Sequence, residues 1–260
     1  MKNLKMIAVA TAISSSMLMS TAANADLCAD VSFAQFKQAA DYSYKQTNKF
    51  GFGLPMWATL MNHVGDVCYV YSVRGGATPV ANGGSISGRH AWLGSRVISA
   101  QKANTANQFS LNDLAISTGA LSVAVYPGGS LYGLQHSNPV DATVAYSGYS
   151  GSYGTVNDPL VGKRVGGVNV FGGGVAAYDS NGNKQGAIGV SGDTSCRDHT
   201  MAYRLRVVLG LDNQPNDDGL AFVASPAALF EQPSCGVNDP AATAAHEPGT
   251  ATASDDFGSR

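Results

Sequence analysis

The sequence has 260 residues, of which 13% are charged, about half the ~25% usual in soluble domains, so its polar surface has to come mainly from Gly, Ser, Asn and Thr. With 44% hydrophobic residues there is ample material for a core, which excludes disorder throughout and allows one large domain or two small ones. The formal net charge of -2 speaks against a nucleic-acid partner bound through a basic patch.

Lys2 and Lys5 precede an apolar stretch from Met6 to Met19, and Ala23-Asn24-Ala25 offers the small residues of a cleavage site just before Asp26. That stretch, about 14 residues, is shorter than the ~20 needed to span a bilayer. Residues 1–25 are therefore expected to be an export signal and the mature protein to be periplasmic or secreted. Export would place Cys28, Cys68, Cys196 and Cys235 in an oxidising compartment, where an even number of cysteines reads as disulfides. Of the three possible pairings we favour Cys28–Cys68 with Cys196–Cys235, because each ties a terminal segment to the nearest regular element. A four-thiolate metal site would want closely spaced pairs, which the sequence does not have.

Ser32 can cap a helix running from Phe33 to Lys49, with Phe36, Ala40 and Tyr44 on one face. Met56 to Met61 and Val67 to Tyr71 read as a strand pair around a His63–Asp66 turn. The stretch Arg74 to Gly94 is Gly-rich and is expected to be an irregular excursion. Ser95 can cap a second helix ending near Phe109, and a weaker helix is expected from Leu111 to Leu121. Tyr126 to Gly166 is too long for an ordinary connection. Val168–Phe171, Val175–Tyr178 and Gly186–Ser191 read as strands, the last two joined through Asn181-Gly182, a strong hairpin signal. Ser195 caps a final helix to Leu209. The expected organisation is an α+β domain over 26–211 with an insertion at about 126–166, then an irregular extension over 212–260 that is mobile at its end.

Chemical motifs are sparse. No glycine run forms a phosphate loop, and the histidines at 63, 90, 136, 199 and 246 show no paired metal-ligand spacing. A single histidine can still serve haem iron, which needs only one or two axial donors in an apolar slot. His136 is the first candidate, followed by His90 and His199. Lys102, alone among small residues on its helix, can pair with an anionic group such as a propionate. Glycines in strands mark either close packing or the close approach of a ligand. Gly189-Val190-Ser191-Gly192 is only superficially a nucleophile elbow, because Asp193 replaces the final glycine.

Three segments in order, Lys102-Ala103-Asn104-Thr105-Ala106, Gly166-Gly167-Val168-Asn169-Val170-Phe171-Gly172-Gly173-Gly174, and Gly186-Ala187-Ile188-Gly189-Val190-Ser191-Gly192-Asp193, resemble the signature segments of the haem-binding GlcG/HbpS-like family. The resemblance implies a central antiparallel sheet flanked by helices, a profilin-like layered architecture, assembly into homo-oligomers and, in some members, haem. One group of the family modulates a membrane sensor protein. On this reading haem or a similar planar molecule would contact His136, Lys102, Arg164, Phe171, Gly172, Gly173, Ser191 and Asp193, with His136, His90 or His199 on the metal. Two alternatives stand beside this non-catalytic binding role. One is an enzyme for a small organic acid or ring-cleavage product, in which Lys102 and Arg164 hold a carboxylate and Asp193 or His199 moves a proton. The other is a structural oligomeric partner whose glycines serve packing alone.

Overall fold

The computed structural model describes residues 26–73, 78–79, 85–86 and 92–239. The expected export signal, most of the 74–94 excursion with His90, and the tail from residue 240 with His246 lie outside the described residues.

A short helix α1 (Leu27–Asp30) leads into α2 (Phe33–Gln46), which Ser32 and Gln35 start with a reciprocal capping box. Strands β1 (Met56–Asn62) and β2 (Val67–Val73) follow as an antiparallel hairpin. Two-residue strands β3 (Thr78–Pro79) and β4 (Ser85–Ile86) pair antiparallel in the otherwise undescribed excursion. Helix α3 (Leu93–Gln108) is followed by the short helices α4 (Leu134–Ser137) and α5 (Ala142–Ala145). Then come β5 (Gly174–Tyr178), β6 (Lys184–Ser191), α6 (Ser195–Val208) and a small parallel pair, β7 (Ala221–Val223) with β8 (Glu231–Pro233). The main sheet runs β2-β1-β6-β5, antiparallel throughout, which is the α+β architecture expected from the sequence.

The two-residue period of a strand decides which side chains face which layer. Along β1, Met56, Ala58 and Leu60 join Phe36 and Ala40 of α2 and Met201 and Leu205 of α6 in one cluster. The intervening Trp57 and Met61 pack with Ala100 and Ala103 of α3 in another. The sheet is thus covered by α2 and α6 on one face and by α3 on the other.

Glycine lets α3 lie almost on the sheet. A β-carbon at Gly189 would sit 1.9 Å from the Ser99 carbonyl oxygen and 2.5 Å from the Ala103 amide nitrogen, both α3 backbone. Gly189→Ala is expected to lower stability by about 1–3 kcal/mol through overpacking, read from the urea midpoint. An unchanged midpoint would mean that α3 is free to shift.

Both favoured disulfides, Cys28–Cys68 and Cys196–Cys235, are formed. Several local expectations need correction. Trp92, not Ser95, occupies the start of α3, and Thr194 caps α6 by accepting from the Arg197 amide. The helix expected over 111–121 is a bridged turn plus a short 3-10 segment, because Ser110 Oγ takes the Ile116 amide that a helix would use. Val168–Phe171 is not a strand. The amides of Val168, Asn169 and Val170 go to Asn138 O, Thr105 Oγ1 and Gln135 Oε1 rather than to a neighbouring strand.

The 126–166 insertion is clamped down rather than loose. Asp158 pairs with the buried Arg96 guanidinium of α3 and also accepts the amides of Gly154 and Leu160. That guanidinium lies 3.7 Å from the centre of the Tyr153 ring. The extension is likewise held as far as it is described, by the Arg206–Asp218 pair, 2.7 Å through both terminal nitrogens, and by the second disulfide. Among the described residues no helix is long and apolar enough to cross a membrane.

Candidate functional site

A cleft of about 400 Å³ opens where the last residues of β6 meet the first turns of α3 and α6. Its walls are apolar: Phe52, Leu54, Trp92, Ile98 and Phe171. Three aromatic side chains are presented to solvent there, Phe52 at 64%, Trp92 at 53% and Phe171 at 42% exposure. Trp92 enters α3 with a left-handed backbone, φ 51°, uncommon for so bulky a residue. A second cleft of about 430 Å³ shares Phe171 and Ser195 with the first and adds Tyr126, Val170, Gln232 and Cys235. Both volumes lie in the range of small-molecule sites.

The polar floor of the first cleft is Ser191, Asp193 and Asp198. Burial pushes the Asp193 carboxyl up, but the amides of Phe52, Leu54 and Thr194 and the Arg197 guanidinium, 2.7 Å away, outweigh it and hold the group below its ordinary range. Asp193 is a fixed anion that ties the 51–54 loop to α6. Asp198 behaves oppositely. Burial raises it to about 6, against the pull of Lys102, whose Nζ donates to Asp198 Oδ2 at 2.8 Å and to the Val190 carbonyl at 3.0 Å. Lys102 is itself fully buried, and burial lowers its pKa despite Asp198.

Residues 85–205 match the family model described as "Haem degrading protein HbpS-like". Over that stretch the chain is similar to the GlcG/HbpS-like family. Among solved structures, the chain is similar to a PduOC:heme complex at 21% identity, covering 71% of this chain and 98% of that one, with a TM-score of 0.45. It is also similar to ORFY of Klebsiella pneumoniae, at 21% identity over 66% of this chain and 83% of that one, TM-score 0.42. A double mutant of HbpS from Streptomyces reticuli gives 15% identity, 79% and 99% coverage and a TM-score of 0.41. No curated protein matches the sequence.

Within residues 85–205 the structure brings together Phe171, Ser191 and Asp193 at the first cleft, with Lys102 just beneath: its Nζ is 5.2 Å from the Phe171 ring centre. The anion that Lys102 was expected to find in a ligand is the chain's own Asp198. Gly172 and Gly173 serve internal packing. A β-carbon at Gly172 would meet the Ser195 carbonyl at 2.6 Å, and one at Gly173 the Val190 carbonyl at 2.3 Å. Arg164 is elsewhere, pairing with Asp66 at 2.9 Å on a third cleft, so it does not join Lys102 around one carboxylate. His136 is exposed on α4 and lines none of these clefts, although its neighbour Gln135 lines the second. His199 is buried on α6 with its ring edge-on to Phe222. His90 lies outside the described residues.

Sequence reasoning missed Asp198, Trp92 and Tyr126. A buried lysine on a small-residue helix demands a buried counter-charge, and Asp198, the acid in the first turn of α6, was the signal available for it.

Proposed function

We propose that the protein is an exported, non-catalytic binding protein for haem or a similar planar tetrapyrrole, held against Phe171 in the apolar clefts. The observation that carries the reading is the cleft itself: aromatic walls from Trp92, Phe52 and Phe171 over a floor whose charges are internally matched. Such a slot suits a flat apolar ring with polar edges. Among the described residues lining the two clefts, Tyr126 is the side chain able to offer iron an axial donor, since Cys235 is committed to a disulfide. Ser191 and Ser195 would face the polar edge of the ring. The family description supports this ligand class. Two disulfides support a site of action outside the cytoplasm. On the same reading it acts as a homo-oligomer and reports to a membrane sensor protein.

Hemin titrated into the mature chain, residues 26–260, is expected to give a saturable Soret shift. Phe171→Ala should weaken binding by about tenfold, for loss of one aromatic contact. Tyr126→Phe, His136→Ala and His90→Ala identify the axial donor by the change in band position. No saturable shift would overturn the haem reading, and a titration indifferent to Phe171→Ala would move the ligand out of these clefts.

A further inference from the structure

At the other end of α3 a third cleft, about 310 Å³, is formed by the β1–β2 turn, the last helical turns and the start of β6. In contrast to the first, it is polar. Lys184, Arg164, His63, Asn104, Asn107 and Gln108 line it. Much of their hydrogen-bonding capacity is already used in the fold, and what remains is informative. Asn104 gives its amide to the Gly167 carbonyl at 2.8 Å and accepts from Gln108 at 3.2 Å. Lys184 Nζ donates to the Asn107 carbonyl at 2.6 Å, which leaves two ammonium protons. Arg164 Nε donates to Asp66 at 2.9 Å, and its side chain is 65% exposed.

Asn107 is only 4% exposed, and its Nδ2 donates to the carbonyls of Asn62 and His63 at 3.3 and 3.1 Å. Its Oδ1 is buried and has no hydrogen-bond partner among the described residues. Leaving such an acceptor unmet costs about 1–3 kcal/mol. The capacity left over is therefore cationic donors on one side and amide oxygens on the other. A bare anion would meet only the first group and an amine only the second.

We propose that this cleft binds a small hydroxy-carboxylate, its carboxylate between Lys184 and Arg164 and its hydroxyl donated to the amide oxygen of Asn107 or Gln108. The site is separate from the haem clefts and shares no lining residue with them.

L-lactate and propionate, which differ only by the hydroxyl, are the probes. In an NMR titration of the oxidised mature chain, lactate is expected to shift the Asn107 and Gln108 side-chain amide signals saturably, with propionate at least tenfold weaker. Arg164→Gln and Lys184→Met should each weaken lactate about tenfold or more, the effect of losing a hydrogen bond to a charged group. Hemin titration should be unchanged in Arg164→Gln, so failure here and failure of the haem reading are distinguishable. Arg164 is solvent-facing, so its variant carries the test if the Lys184 variant does not fold. Equal response to both acids, displacement of lactate by equimolar inorganic phosphate, shifts confined to other residues, or no saturable response would each overturn the proposal.

Discussion

Asp198→Ala is expected to destabilise the protein by about 3–5 kcal/mol, because it leaves the Lys102 ammonium buried without its counter-charge. The removed carboxylate takes the 2.8 Å bond to Lys102 Nζ and the 3.0 Å bond from the Asp193 amide. Neither side chain is more than 3% exposed, so water cannot substitute. Removing both partners is predicted to behave differently. Lys102→Met with Asp198→Leu should be neutral or more stable than the parent, since two desolvated charges are exchanged for packing volume.

The pH dependence gives an independent reading of the same pair. Burial first, only partly countered by Lys102, raises Asp198 from 3.8 to about 6. The folded chain then keeps a proton that the unfolded chain has released. The stability from this group is fully present below 3.8 and is lost as the pH rises through about 6. Urea midpoints taken across that window should fall with rising pH in the parent and lack this component in the double variant. A single variant as stable as the parent, or identical pH slopes in both proteins, would refute this account of the cleft floor.

Replacing Cys196 and Cys235 by Ser is expected to cost about 3–4 kcal/mol, on the chain-entropy estimate for a closed loop of this size. The cysteines are 39 residues apart, and the other pair spans 40, so the entropic contributions of the two bridges are alike. Their locations are not alike. Cys235 lines the second cleft, and Gln232 beside it accepts the Gly172 amide at 2.7 Å and donates to Ser195 at 2.7 Å. Loss of the second bridge should therefore also expose the 212–239 extension to proteolysis, whereas loss of Cys28–Cys68 should leave it protected. Equal protection in both variants would show that Arg206–Asp218 alone secures it.

The regular elements were readable because each is specified locally. Ser32 announces α2, short apolar runs on either side of the His63–Asp66 turn carry β1 and β2, and Asn181-Gly182 turns β5 into β6, with Asp179 Oδ1 accepting the Asn181 and Asn183 amides. The compartment argument was enough to suggest both disulfides. What could not be read was set by partners distant in sequence. Val168–Phe171 has strand composition, yet Thr105 and Gln135 take its amides. Gly172 and Gly173 look like a ligand cradle, yet the chain's own carbonyls fill the space. Arg164 and Lys102 were expected to face one carboxylate, and the fold sends them to different clefts. Asp198 was the available acid, but its pairing with Lys102 joins positions 96 residues apart, and nothing local in the sequence links them.

Helix α3 spans the distance between the two kinds of cleft, with Ser95 and Ile98 at one and Asn104 and Asn107 at the other. Its 16 residues make a rod of about 24 Å. At Gly189 and Gly174 its backbone presses on the sheet with no side chain between, so the rod has a fulcrum but no cushion. The contact therefore fixes how closely α3 stands to the sheet, and with it the separation of the two mouths that its ends help to line.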